Sequence, residues 1–406
     1  GSGSESSVIG NALEKGGEYF YCRFDRISGL EVVLGNGNIL KTGFGHYANA
    51  QNTHNFKYGI GPYLDGLLAQ SNFGIVTSAG LSLIPKREVH SAFKCSIYIE
   101  NNFPELVDRF AELRRTEILS TAAHIANRAR TANVLSPAIF DYLSLSQKGS
   151  QQGIDKKSYA QLKSEAEKIV DQLAAPWSIA GGLMGTKAQV AEAQKQIQKA
   201  MNGIGDVTFM DEKKLNLAKW LIQNLSFLPP IKKLKPLIYA VEPIYDIIAK
   251  GKPSDLAIKT VYWPVEEIPE NWKEPDQSNS GLLFSLPLIP NEGKVAQYTV
   301  RKTEEVFGKY GFVPYITLNM LTPTGLEVVI NNAFDRTNKE QVKSAYECIR
   351  ELNKSFITEG LIPYRVGIES MDLILDEKDT FWQTVRDLKK VLDPNDIISP
   401  GRYNLR

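Results

Sequence analysis

Apolar positions between residues 88 and 360 repeat with two alternating periods. In "SAFKCSIYIE" (91–100) nearly every second residue is apolar, the spacing of a strand with one buried face. The next stretch, "FPELVDRFAELRRTEIL" (103–119), carries Leu106, Phe110 and Leu113 at helical spacing. The pair recurs three times: "WSIAGGLMG" (177–185) leads into "TKAQVAEAQKQIQKAMN", "SGLLFSLPLIP" (280–290) into "KVAQYTVRKTEEVFGKYG", and "LEVVINNAFD" (326–335) into "KEQVKSAYECIRELNKSFITEG". Repeated βαβ units with hairpin links predict an antiparallel sheet covered by helices on one face, an α+β layer domain of ferredoxin-like units.

Residues 6–86 read differently, as glycine-rich loops and short strands. "GLEVVLGNGNILKTG" (29–43) sets two apolar runs around a Gly-Asn-Gly turn and predicts a hairpin. "GIVTSAGLSLIP" (74–85) predicts a further strand pair, and "YGIGPYLDGLLAQSN" (58–72) an amphipathic helix from Tyr63 to Gln70. The stretch 226–258 is a proline-punctuated connection, helical in part, whose lysines read as a solvated face. "DPNDIISPGRYN" (393–404) has the turn residues of an irregular tail.

With 406 residues the chain is long enough for two domains, and 47 Lys+Arg against 46 Asp+Glu leave a net charge of +1. That balance recruits no polyanion by bulk charge, so neither nucleic acid nor a membrane is an expected partner. Cys22, Cys95 and Cys348 fit neither a disulfide framework nor a zinc spacing, which favours a reducing, cytoplasmic compartment. No bilayer-spanning run and no signal segment is read, and "GSGS" at 1–4 resembles a flexible linker. His46 and His54 lack the spacing and carboxylate company of a metal site and read as solvated loop histidines, so no metal is expected. In "GGLMGTK" (181–187) the lysine lies too close to the first glycine for a phosphate loop, and no nucleophile elbow occurs.

The stretch "SSVIGNALEKGGEY" (6–19) packs glycines, hydroxyls and a Gly-Asn pair into one loop. Gly10, Gly16 and Gly17 permit a backbone to approach a planar cofactor, and the strand from Gly74 to Thr77 offers main-chain donors and acceptors. Taken alone, turn glycines and a core strand account for these positions more simply.

Four segments in order change that balance: "SSVIGNALEKGGEY", "SGLEVVLGNGNILKTGFG", "KYGIGPYLDGLLAQSNFGIVTSAGLSLIPK" and "LDPNDIISPGRY". Together they resemble the signature segments of the vanillyl-alcohol oxidase and p-cresol methylhydroxylase flavoprotein family. "WSIAGGLMG", "KPSDLAIKTVYW" and "GLIPYRVGIESMD" resemble its cap domain more weakly. The resemblance implies the second lobe of a two-lobed FAD-binding domain at 5–88, a substrate or cap domain at 89–362, and a C-terminal return at 363–406. The first FAD lobe is then expected to be absent from this sequence, through truncation, cleavage or supply by a separate chain. The family also allows a homodimer.

Family members oxidise para-substituted phenols by moving hydride from the benzylic carbon to flavin N5. A permanently cationic arginine favours phenolate over phenol, and tyrosine hydroxyls share the oxygen. The resemblance assigns Tyr364 and Arg365 in "LIPYRVG" to this role, with Tyr19 at the same end of the pocket. It assigns FAD contacts to Ser7, Gly10, Asn11, Gly16, Gly74, Ile75, Val76 and Arg402, and puts cap residues such as Tyr262 and Trp263 on the pocket wall. The family's FAD-tethering histidine would fall near Thr324 or Gly325, where there is none, so the flavin is expected to be noncovalent. Its acidic residue near N5 would fall near Ser2, and "YFYCRFDR" replaces its "YTPYGDH". The resemblance thus implies an FAD-dependent oxidase or dehydrogenase acting on a phenolic or related hydroxylated small molecule. The alternatives are a flavin-free scaffold, one subunit of a split flavoenzyme, or oxidation of 2-hydroxy acids or sugars on the same fold.

Overall fold

The computed structural model describes residues 6–17, 20, 22–148 and 157–405. The chain forms two units, a split one from Ser6–Lys86 with Arg365–Arg406 and a continuous one from Arg87–Tyr364. The first part of the split unit holds α1 (Val8–Leu13), β1 (Ile27–Leu34), β2 (Ile39–Lys41) and β3 (Gly74–Leu81). The continuous unit then runs β4 (Val89–Ile97), α2 (Phe103–Arg115), β5 (Ala123–Asn127), α3 (Arg128–Lys148), α4 (Tyr159–Asp171), β6 (Trp177–Gly185) and α5 (Lys187–Met201). It continues with β7 (Asp206–Asp211), α6 (Glu212–Leu225), α7 (Pro229–Lys250), α8 (Lys259–Tyr262), β8 (Ser280–Ser285) and β9 (Leu288–Pro290). After α9 (Gly293–Tyr310), β10 (Tyr315–Met320), β11 (Gly325–Asp335) and α10 (Lys339–Thr358), the chain returns to the split unit as α11 (Thr380–Leu392).

The α+β class expected from the sequence is the one observed. In the continuous unit every strand pair is antiparallel, in the order β7-β4-β6-β5-β10-β11-β8, with β9 also paired to β11. One face buries Phe93, Cys95, Ile97, Ile179, Leu318 and Val328 with the apolar stripes of α2, α5, α9 and α10. The expectation of helices on one face alone is corrected. Strand alternation turns Ala92 of β4 away from Phe93, and with Met210 it packs under Leu215 of α6 and Tyr245 and Ala249 of α7. A further helical cluster joins α3, α4 and Ala240 of α7 around Ile139, Ala166 and Val170.

The split unit has a three-stranded antiparallel sheet, β2-β1-β3. The predicted hairpin is β1–β2, with Gly37 at φ +85° in its turn. Ile27, Leu30, Val32 and Leu34 of β1 go inward, and Val385, Leu388 and Leu392 of α11 pack against them. Two expectations fail here. The helix predicted over 63–70 is only a 3-10 turn, Asp65–Leu68, because Pro62 precedes it, Gly66 interrupts it and Gln70 takes φ +51°. The strand pair predicted in 74–85 is the single strand β3; past Leu81 the chain leaves the sheet at Ser82, whose N–H donates to the Arg26 carbonyl.

Helix α11 ends in a buried ion pair. Lys389 and Asp393 stand one turn apart with side chains 6% and 0% exposed, and Nζ lies 2.5 Å from Oδ2. The ammonium also donates to the Asn72 carbonyl at 2.6 Å and the Ile398 carbonyl at 2.8 Å, and Asp393 accepts the N–H groups of Ile397 and Ile398. All three protons of the lysine are thereby matched to acceptors. Gly35 makes room for this, since a Cβ there would sit 2.2 Å from the Asp393 carboxyl.

Lys389→Met strands a buried carboxylate and is expected to cost the split unit about 3–5 kcal/mol in urea unfolding; a loss below about 1 kcal/mol would refute the assignment. Burial pushes the Asp393 carboxyl up, but the bonds from Lys389, Ile398 and Ile397 outweigh it and leave the pKa lowered. The stabilisation is therefore complete above the ordinary carboxylate value of about 4 and is lost as pH falls through the lower folded value. Wild-type protein should lose this increment on acidification and Asp393→Asn should not, read as the difference in unfolding midpoint.

Candidate functional site

The front loop is a small built structure. Ser7 caps α1, its Oγ accepting the Gly10 N–H at 2.9 Å. The Gly16 N–H donates to the Asn11 carbonyl, and Arg23 closes the loop by donating from its backbone to the Gly16 carbonyl and from Nη1 to Asn11 Oδ1 at 2.6 Å. Gly17 and Cys22 form a bridge across it. A Cβ on Gly16 would lie 2.2 Å from Asn11 Oδ1, so this glycine is required by the loop's own packing. Gly74, Ile75 and Val76 lie on β3, an edge strand of its sheet, where Ile75 is exposed and Val76 packs inward.

The tail joins this loop within the split unit. Arg402 Nη2 donates to Glu14 Oε1 at 2.5 Å, tying the residue after α1 to "SPGRY", and its guanidinium lies 5.3 Å from the Tyr403 ring centroid. The Tyr403 hydroxyl is held at the Val366 backbone at 3.3 Å. Burial pushes its phenol up, the Val366 contact and the charges of Arg402 and Arg365 pull it down, and the net shift is upward. The Arg402 guanidinium thus contacts both the Glu14 carboxylate and the Tyr403 ring. The second oxygen of Glu14, Oε2, is buried without a hydrogen-bond partner.

Tyr364 and Arg365 fall on opposite sides of the division between the units. Tyr364 donates its N–H to the Leu286 carbonyl, beside the Pro287–Pro363 bridge, and so ends the continuous unit at its β8–β9 corner. Tyr19 lies outside the described residues. Tyr262 and Trp263, expected on a pocket wall, are instead packed into the helical part of the continuous unit. Tyr262 is fully buried with its hydroxyl on the Trp272 carbonyl at 3.0 Å, and Trp263 joins the core of α3 and α4. Both aromatics fill a helix junction.

Two features were not singled out in the sequence. On the face of β5, β10 and β11 away from the main core, His124, Asn319 and Glu327 stand in one cross-strand row. His124 Nδ1 is 2.7 Å from Asn319 Oδ1, an acceptor, so the ring carries its proton there and presents Nε2 as the open nitrogen. The available signal was polar residues alternating with Ile125, Leu318 and Val328 in otherwise apolar strands. In the split unit, Lys57 sits near the rings of Phe24, Tyr58 and Tyr63 and 3.5 Å from Asp25. Near it Asp65 is fully buried, and burial pushes its carboxyl up against the opposing pull of Thr42, Lys57 and the Gly29 amide. Although those groups face it, neither Asp65 oxygen makes a hydrogen bond of ordinary geometry. Burial and the Asp65 charge push the Tyr63 phenol up to about 12.

Comparison with known proteins places this architecture. The chain is 28% identical over 415 residues to 1'-carboxy-chondrochloren decarboxylase of Chondromyces crocatus, covering 100% of this chain and 73% of that protein. It is 26% identical over 407 residues to the flavoprotein subunit of 4-cresol dehydrogenase (hydroxylating) of Pseudomonas putida, covering 98% and 68%. The solved structure of p-cresol methylhydroxylase with substrate bound matches at a TM-score of 0.75, with 24% identity over 98% of this chain and 69% of that one. The isoeugenol complex of 4-ethylphenol oxidase from Gulosibacter chungangensis matches at 0.76, with 22% identity over 98% and 70%. The chain is therefore similar over nearly its whole length to p-cresol methylhydroxylase and shares its fold. No family model matches it.

The glycine that opens β3 has a packing cause, because a Cβ on Gly74 would lie 2.5 Å from Val32 Cγ1 and 3.0 Å from the Val33 carbonyl. Gly74→Ala is expected to cost about 1–3 kcal/mol in thermal unfolding. Val32→Ala removes the side-chain part of that clash, so the double variant should lose less than the sum of the two single losses. Strict additivity would show that the close approach is not what selects glycine.

Proposed function

We propose that this chain works as an FAD-dependent oxidoreductase that removes hydride from a phenolic or related hydroxylated small molecule, with the flavin held noncovalently. The observation that carries the reading is the convergence, in one unit, of the glycine loop behind α1 with Arg402 of the tail. The buried, unpartnered Glu14 Oε2 is an acceptor that suits a hydroxyl-rich ligand, and the Arg402 guanidinium beside it suits an anionic one. FAD has both properties, so the residues fit it.

In this reading Ser7, Gly10, Asn11, Gly16 and Arg402 hold the cofactor, with the outer edge of β3 at Gly74, Ile75 and Val76 supplying main-chain groups. FAD when bound supplies the hydride acceptor. Arg365 stays cationic at any working pH and holds the substrate oxygen as phenolate, with the hydroxyls of Tyr364 and Tyr19 sharing it. A phenolate pushes electron density toward the para-benzylic carbon and lowers the barrier to losing hydride from it. Support comes from the 26% identical relative, whose name describes a cresol dehydrogenase flavoprotein subunit. A second reading has its own support in the 28% identical relative named as a decarboxylase. There the electron pair of a C–COO⁻ bond next to the benzylic carbon would form a C=C bond as CO₂ departs and hydride is lost from the benzylic carbon, bound FAD supplying the two-electron acceptor and Arg365 keeping the same role.

In FAD-loaded protein, Arg365→Ala is expected to lower kcat/KM for para-alkylphenols by about 100-fold or more, while turnover of any aliphatic alcohol accepted changes by less than about threefold. Equal losses on both would remove the phenolate role. Carbon dioxide release from a carboxylated phenol distinguishes the second reading from the first. Acid precipitation of the holoprotein should leave the yellow flavin in the supernatant; flavin that stays with the pellet would show a covalent link.

A further inference from the structure

The α6–α7 hairpin presents an outer surface unlike the rest of the continuous unit. Its inner side packs on β4, β6 and β7 through Leu215, Tyr245 and Ala249. Outside, Leu217 and Trp220 are 57% and 54% exposed, and Phe227 at the turn between the helices is 74% exposed. Leu228, Leu234 and Tyr239 are exposed as well. Leu217 and Trp220 are three residues apart on α6 and share one of its faces, and Phe227 follows in the turn after the helix. Large apolar side chains gathered this way mark an interaction surface rather than scattered exposure.

The charge around them is one-sided. From Lys213 to Val241 the chain has six lysines, 213, 214, 219, 232, 233 and 235, and no acidic residue. Lys219 reaches Glu242 just beyond that stretch, and Lys214 Nζ donates to the Phe209 carbonyl at 3.0 Å. The net charge of +1 for the whole chain averages this away.

The charge selects the occupant. A second copy seated about a two-fold axis would lay lysines against lysines. An anionic bilayer offers negative headgroups to the lysines and an apolar boundary to Trp220, Phe227 and Leu228, the mixture that interfacial helices use. Among the described residues no helix is long and apolar enough to cross a membrane, so such a hairpin lies in the interface. We propose that the α6–α7 hairpin docks this protein on an anionic lipid surface, with its Phe227–Leu228 turn and Trp220 inserted at the acyl boundary.

The test is co-sedimentation of the holoprotein with phosphatidylcholine vesicles, with and without phosphatidylserine. Binding is expected only with phosphatidylserine and should weaken as salt is raised. Lys213→Glu with Lys214→Glu should lower the partition coefficient by about tenfold or more, and Trp220→Ser with Phe227→Ser by a similar factor. All four positions are exposed and outside the flavin and phenol residues, so turnover of a soluble phenol should be unchanged. Equal pelleting with and without phosphatidylserine, or wild-type binding by the Trp220→Ser/Phe227→Ser variant, would overturn the proposal. So would a lipid-free dimer that the same variant dissociates, which would make the patch a subunit interface.

Discussion

One ammonium group organises the split unit. Lys389 ends α11, and its three donors reach the Asp393 carboxylate, the Asn72 carbonyl just before β3 and the Ile398 carbonyl in the tail. An apolar side chain cannot replace it, because the buried carboxylate would lose its counter-charge and the two carbonyls would lose this donor. The tail's course past α11 is set by the same carboxylate, which takes the Ile397 and Ile398 amides. From there the chain reaches Ser399, whose carbonyl accepts the Asn72 side chain, and Arg402, which meets Glu14. The position of Arg402 therefore traces back to a structural ion pair.

Much of the continuous unit was legible in the sequence because its signals are local. Strand alternation and helical spacing in residues 91–119, 177–202 and 280–360 depend on neighbours a few places away, and the observed elements fall on those stretches. The hairpin at 29–43 was legible for the same reason. What local pattern cannot carry is a second packing partner. The helices over the far side of β4 and β7 cover Ala92 and Met210, two residues too few to register as a stripe. Tyr262 and Trp263 are aromatic in a polar-flanked stretch, which reads as a pocket wall until α3 and α4 are seen to close around Trp263.

The candidate site was read from motif order rather than from chemistry. Asn11, Gly16 and Gly74 were marked as ligand-facing, yet each also has an internal duty: Asn11 receives Arg23, Gly16 gives Asn11 its space, and Gly74 gives Val32 its space. A residue under two demands looks the same in sequence as a residue under one. Lys389 and Asp393 went unremarked because a lysine and an aspartate four apart near a helix end usually form a weak solvated pair. Only the burial supplied by Asn72 and the tail makes this one different.

The division of the chain also bears on how the protein is made. The Asn72–Lys389 bond joins positions 317 residues apart, whereas Arg87–Tyr364 forms its sheet and helices from a single uninterrupted segment. On a ribosome the continuous unit can complete itself while α11 is still untranslated, and β1–β3 must wait with one side of their core uncovered. Until α11 is made, the inner face of Ile27–Leu34 lacks the Val385, Leu388 and Leu392 side chains that pack against it.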